Sequence, residues 1–315
     1  MPPFFFVSGR LSMKILKTLI RPAMIFVPLA LGIFFPDADR LNFLIRYLLM
    51  FMLLMVFLRL DLSELKIRKS HFMIFAANVF IGIGSYWLTL LLTGDQKLAQ
   101  AAFFVGITPT ATAAAVVMGF LKGNVGYVIT SFVMTNVGMA LLFPGLLSWV
   151  CGNASWGFIL KVAETLAWLL VVPLITAKIL RKIYPAAKEL PKKLATASFG
   201  LWSVCLFIIA ASAANFFRNN PDISRFLTLK IALVALIICA VNFALGYWLG
   251  EKDLRREASQ SLGQKNTTLT IYLAFAYAGP LAALGVISYV LWHNSYNAVQ
   301  MFLMDRKSAH ERLEK

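Results

Sequence analysis

The sequence predicts an all-α integral membrane protein with ten transmembrane helices. Three observations predict it. Of the 315 residues, 60% are hydrophobic and only 14% charged, against roughly 45–50% and about 25% in an ordinary soluble domain. The apolar residues fall in blocks of about 20, the length that crosses ~30 Å of hydrocarbon at 1.5 Å per residue. The basic residues, which give a formal net charge of +16, gather in the short segments between those blocks.

The blocks lie near 15–35, 41–60, 72–93, 98–121, 125–149, 157–180, 197–217, 228–249, 258–278 and 280–303. The ninth is the least hydrophobic. With the N-terminus inside, the inner segments hold 21 of the 30 Lys and Arg, most densely over 10–21, 66–69 and 178–193. The outer loops hold five: Arg40, Lys97, Arg218, Arg225 and Lys230. That asymmetry follows the positive-inside rule and places both termini in the cytoplasm, with the chain in the plasma (inner) membrane. Nine spans would scramble it. The opening MPPFFFVSGRLSMK lacks a charged n-region and a small-residue cleavage site, and reads as a short cytoplasmic tail.

Five spans precede the loop at 150–156 and five follow it. An odd number per half inverts the second half relative to the first, as in many secondary transporters. The expected plan is one polytopic domain over 1–315, with 1–149 and 157–305 as inverted five-helix repeats.

Several function classes drop out. Basic residues confined to loops between apolar blocks address anionic lipid and the insertion machinery, not nucleic acid. Cys151, Cys205 and Cys239 are widely spaced and form no CxxC or Cys/His pattern, so neither a metal site nor a disulfide framework is expected. No cofactor is expected. A membrane-embedded enzyme would need paired carboxylates or a nucleophile with its base, and Glu164 is the one acid deep in a span. The protein is not expected to be an enzyme.

Transporter sites form where spans break, because the freed backbone groups coordinate a ligand there. The fourth span contains Gly106-Ile107-Thr108-Pro109-Thr110-Ala111-Thr112, where Pro109 lacks an N–H and three threonines offer hydroxyls. A simple proline kink is the plainer alternative. The ninth span contains Ser261-Leu262-Gly263-Gln264-Lys265-Asn266-Thr267-Thr268, polar in the middle of a hydrophobic segment. These are the fourth spans of the two halves. If both break, two half-helix N-termini face each other, each with unpaired N–H groups and about half a positive charge, which suits a carboxylate or similar anion.

Lys265 is the most informative residue. An ammonium at the bilayer centre costs roughly 2.5–3.5 kcal/mol on insertion scales, so it must face a cavity or a partner. It could attract the substrate anion, carry a proton, or stand in permanently for a bound cation. An ion pair with Glu164 is the structural alternative, although Lys161 and Glu164 are three apart and can satisfy each other. The fifth span carries Thr130, Ser131, Thr135 and Asn136 at the depth where the tenth carries Trp292-His293-Asn294-Ser295. His293 is read as a substrate or helix contact, and Asn78 and Asn242 as interhelical bonds.

In order and spacing these segments resemble the bile acid:sodium symporter family. The likeness runs through most of the chain. It rests on Leu60-Asp61-Leu62-Ser63-Glu64-Leu65, Pro109-Thr110-Ala111-Thr112, Lys122-Gly123-Asn124-Val125, Gly263-Gln264-Lys265-Asn266-Thr267 and Trp292-His293-Asn294. The resemblance implies interleaved panel and core bundles, crossing discontinuous fourth and ninth helices, and sodium-driven uptake of organic anions by alternating access. It implies substrate contacts at Thr112, Asn266, His293 and Asn294, to which the adjoining Thr110 and Thr267 are added.

The resemblance fails at the sodium positions. Ala114 and Ala115 stand for a Ser-Asn pair, with Val128 and Phe132 opposite, and none has a side-chain oxygen. At the second site Ser261 and Lys265 stand for a glutamate and a glutamine, while Asn78 matches a third-helix glutamine. A charged lysine cannot ligate a cation. The expectation is therefore a secondary transporter of a small organic anion, independent of sodium, with Lys265 replacing the cation beside Gln264 and Asn78. Proton coupling and facilitated flow both fit. Arsenite is disfavoured because the fourth span has no cysteine. A sodium symporter using backbone carbonyls, and a membrane protein that binds an anion without moving it, are the alternatives.

Overall fold

In the computed structural model, residues 27–60, 65–221 and 224–313 are described. The expected N-terminal tail, the start of the first span and the motif residues 61–64 lie outside them. Among the described residues the chain is helical with no strand, and one isolated antiparallel bridge joins Thr110 to Lys265.

In chain order the helices are α1 (Asn42–Arg59), α2 (Lys69–Thr93), α3 (Gln96–Ile107), α4 (Thr112–Phe120), α5 (Val125–Val150) and α6 (Trp156–Ile183). They continue as α7 (Ala195–Asn219), α8 (Arg225–Leu249), α9 (Arg255–Gly263), α10 (Thr267–Ala278) and α11 (Pro280–Leu313). Local chemistry sets several ends. Gly94 closes α2 in the left-handed region at φ 65, which glycine adopts without a Cβ penalty. Asp95, Asn124, Ser155 and Ser224 accept first-turn N–H groups of α3, α5, α6 and α8, the ordinary N-cap bond. In α6 a π-helical turn at Ala167–Val171 precedes Pro173, where the missing N–H loosens the ladder.

Six helices are long and apolar enough to cross a membrane: Pro36–Arg59, Lys69–Thr93, Val125–Val150, Trp156–Ile183, Thr196–Asn219 and Phe226–Leu249. The chain is an all-α membrane protein. Length and hydropathy thus give six spans among the described residues where the sequence pattern predicts ten. The differences have physical causes. Most of the first block lies outside the described residues. The fourth and ninth blocks are each two half-helices of 9 to 12 residues, too short singly. The tenth is a continuous 34-residue helix with His293, Asn294, Asn297 and Gln300 along it.

The described residues form two compact units, each built from separate stretches of chain. One takes its residues from Met1–Leu58 and Pro173–Asp222, the other from Arg59–Val172 and Ile223–Lys315. The first unit has an apolar cluster of Met55, Leu58, Ala177 and Ala187. It also has polar ties: Asp37 accepts from Arg218 at 2.7 Å, and Asn42 accepts from the Ser212 hydroxyl at 2.6 Å. The second unit encloses the half-helices. Nine residues of α3, from Leu98 to Ile107, are buried, and Glu257 to Gly263 of α9 are buried without a gap. A helix enclosed on all sides by protein needs no lipid-facing stripe, which is why α9 can be polar and why hydropathy nearly misses it.

Candidate functional site

The site lies within the second unit, where the fourth and ninth segments are interrupted. Four residues, 108–111, separate α3 from α4, and three, 264–266, separate α9 from α10. The two gaps pair with each other. Ala111 N–H donates to the Gln264 carbonyl at 2.8 Å, and Asn266 N–H donates to the Pro109 carbonyl at 2.7 Å. Buried backbone groups need partners, and each broken helix here supplies the other's. Pro109 fits because it offers only a carbonyl at a position where only an acceptor is used.

Side chains complete the junction. Thr110 donates its hydroxyl to the Ser261 carbonyl, and its N–H donates to the Thr135 hydroxyl oxygen at 3.1 Å. Asn136 donates to the Thr110 carbonyl at 2.8 Å, and its Oδ1 accepts from Asn266 at 3.0 Å. One amide on α5 therefore holds both gaps. On the other side Asn78 of α2 donates to the Ile107 carbonyl at 2.8 Å.

Lys265 is 1% exposed. Its Nζ donates to Asn78 Oδ1 and to the Gly106 carbonyl, the latter at 3.2 Å. Gly106 belongs to the last turn of α3, the negative end of that half-helix dipole, where a cation is favoured. The expected alternative partner is excluded: Glu164 is exposed, and the ion pairs among the described residues are Arg68–Glu251 and Arg218–Asp37. The Lys265 amine is held by two neutral oxygens.

The positive ends of the half-helices are treated differently. Neither Ala111 before α4 nor Asn266 before α10 gives a side-chain cap. Thr112 is half-buried at the start of α4 and Thr267 is 5% exposed at the start of α10. The two N-termini flank the paired gaps with first-turn N–H groups that no side-chain cap takes up.

Ala114, Ala115, Val128 and Phe132, the positions expected from the resemblance to stand for first-site sodium ligands, are apolar in their packing as well as in their identity. Ala114 and Val128 join a buried cluster with Ile74, Met118 and Leu262, and Ala115 packs against it. Phe132 is 4% exposed. Ser261 Oγ and Ser131 Oγ are buried without a hydrogen-bond partner.

The structure brings Thr110, Gln264, Lys265, Asn266 and Asn78 together at the junction. It reaches α11 through residues that the sequence reading overlooked. Tyr289 donates its hydroxyl to the Gly263 carbonyl at 2.7 Å, and Asn297 donates to Gln264 Oε1. Gln260 donates to Asn297 at 3.0 Å and also to Gln300. His293 lies one turn from each of Tyr289 and Asn297 on the same stripe. It is 3% exposed, meets Tyr289 edge-on with ring centroids 5.3 Å apart, and its Nδ1 has no partner. Asn294 bonds back to the Val290 carbonyl of its own helix. Asn242 donates to the Tyr289 hydroxyl at 3.3 Å. The 289/293/297 spacing is the sequence signal that could have found this stripe.

No protein-family model and no curated protein matches this chain.

Proposed function

We propose that this protein is a secondary transporter of a small organic anion, built as ten spans in two inverted repeats on the plan of the bile acid:sodium symporters. The observation that carries the reading is the paired interruption, with the Lys265 ammonium seated on Asn78 Oδ1 and the Gly106 carbonyl. A cation fixed at the C-terminal end of one half-helix leaves the N-terminal ends of the other two for an anion. Thr110, Thr112, Asn266 and Thr267 are the substrate contacts at the gaps, and His293 and Asn294 are the contacts on α11. Lys265, with Gln264 and Asn78 beside it, takes the place of the coupling cation, so transport is independent of sodium.

The division of the chain supports alternating access. The first half gives its residues through Leu58 to one compact unit and the rest to the other, and the second half gives α7 to the first unit and α8 to α11 to the second, with α6 divided at Pro173; the site is thus built within one unit.

The test is uptake of radiolabelled monocarboxylates and bile acids into proteoliposomes, with sodium or choline as the external cation. Equal rates in the two are expected. A strict sodium requirement would overturn the lysine's role, and no flux of any anion would overturn transport. The unpartnered hydroxyls of Ser131 and Ser261 favour one competing reading, a sodium symporter that keeps an oxygen-lined site, and the sodium arm distinguishes it.

A further inference from the structure

We propose that the hairpin joining α6 to α7 is a binding site for the phosphate headgroups of anionic phospholipid. Lys178, Lys182, Lys188, Lys192 and Lys193 lie within 16 residues and are all exposed. Glu189 is the one acid between them. Such a run is usually just a solvated turn, but three features set this one apart.

The hairpin is folded. Tyr184 N–H donates to the Leu180 carbonyl at 2.8 Å, Ala187 N–H to the Tyr184 carbonyl at 2.9 Å, and Leu194 N–H to the Leu190 carbonyl at 2.8 Å. Its inner face is anchored: Ala177 and Ala187 are buried in the cluster with Met55 and Leu58, and Leu180, Leu190 and Leu194 pack against it. The backbone therefore presents the lysines from a fixed platform, and binding need not order the hairpin backbone.

The lysines are also unmatched. Three arginines elsewhere have acceptors in the protein: Arg68 on Glu251, Arg218 on Asp37, and Arg256 on the Leu121 carbonyl. None of the five lysines takes part in an ion pair among the described residues. Lys178 and Lys182, at i and i+4 near the end of α6, put charge along one side of that helix.

Apolar side chains stand beside them. Ile179, Ile183 and Tyr184 are 53%, 77% and 52% exposed. Exposed aliphatic and aromatic groups next to ammonium groups match the boundary between acyl chains and phosphates, where lysine stems run through apolar surroundings to a charged head. A free soluble phosphate would not account for the apolar part. This site belongs to the first unit and does not depend on the proposed anion transport.

The test is thermal unfolding of the purified chain in neutral detergent, titrated with phosphatidylglycerol or phosphatidylcholine. Phosphatidylglycerol is expected to raise the midpoint by several degrees more than phosphatidylcholine, and about 1 M salt, with a Debye length of ~3 Å, should erase the difference. The variant K178Q/K182Q/K188Q/K192Q should lose at least half of the difference, and the corresponding Lys→Arg variant should keep it. Equal shifts from the two lipids, or a full phosphatidylglycerol effect in the Gln variant, would overturn the proposal.

Discussion

The Lys265 ammonium ends on the carbonyl oxygen of Gly106, 3.2 Å away, so the cation of one broken helix is seated on the negative end of the other. Replacing Lys265 with Met keeps the length of the stem and removes the charge. The loss of two charge-assisted hydrogen bonds costs about 1.5–3 kcal/mol each, and the removed ammonium returns roughly 2.5–3.5 kcal/mol of insertion cost. The second offsets roughly half or more of the first, leaving a net loss of up to about 3 kcal/mol. Lys265→Met is expected to unfold within a few degrees of the parent in detergent while anion uptake falls at least about tenfold. Retained uptake would show that the charge has no part in transport.

Asn136 serves both interruptions at once, donating to Thr110 and accepting from Asn266. Asn136→Ala leaves the buried Thr110 carbonyl and the half-buried Asn266 amide short of a partner. Each unmet group costs about 1–3 kcal/mol, so the unfolding midpoint is expected to drop clearly. Asn136→Asp keeps the acceptor but places a carboxylate beside both N-termini. It is expected to weaken anion binding more than Asn136→Ala does, measured by equilibrium binding of the transported anion at matched protein stability.

Glycine gives α2 and α3 their close approach. A Cβ on Gly106 would sit 2.8 Å from the Gly82 Cα and 2.8 Å from the Ile81 carbonyl oxygen, and small residues allow backbones to meet in this way. Gly106→Ala must push α3 away from α2 and carry the Gly106 carbonyl off Lys265. Overpacking of this kind costs about 1–3 kcal/mol. Gly84, two residues from Gly82 and exposed, has nothing within 4 Å of its Cβ position. Gly84→Ala is expected to be neutral or slightly stabilising through helix propensity. Equal midpoints for the two variants would refute the contact's importance.

Much of the junction was legible in the sequence, for identifiable reasons. Pro109 and the polar run from Ser261 to Thr268 break the apolar pattern in places where only an interrupted helix leaves backbone groups to be met. Lys265 had to be explained because a buried ammonium is costly. The pairing of Thr110 with Lys265 is a contact between residues far apart in sequence, and no local pattern encodes its register. Tyr289 and Asn297 escaped for another reason. Each is an ordinary residue in a long helix, and it becomes informative only when Gly263 and Gln264 are seen opposite. A count by length and hydropathy finds six spans among the described residues by the same physics, since half-helices enclosed in protein need not be long or uniformly apolar.

Cys151 gives a pH-dependent test that leaves the junction untouched. It caps the end of α5, outside the spans, and is half-buried. Burial pushes its thiol up to about 11 from an ordinary value of 9.0, because the thiolate is the form that loses hydration. The thiolate is the reactive species, so the maleimide labelling rate follows its fraction. With Cys205 and Cys239 replaced by Ala, that rate is expected to climb about tenfold per pH unit from pH 7 to about pH 10 without levelling off. A thiol at the ordinary value would begin to level off near pH 9. A plateau there would show that the end of α5 is open to water, and the packing of Cys151 against its neighbours would have to be revised.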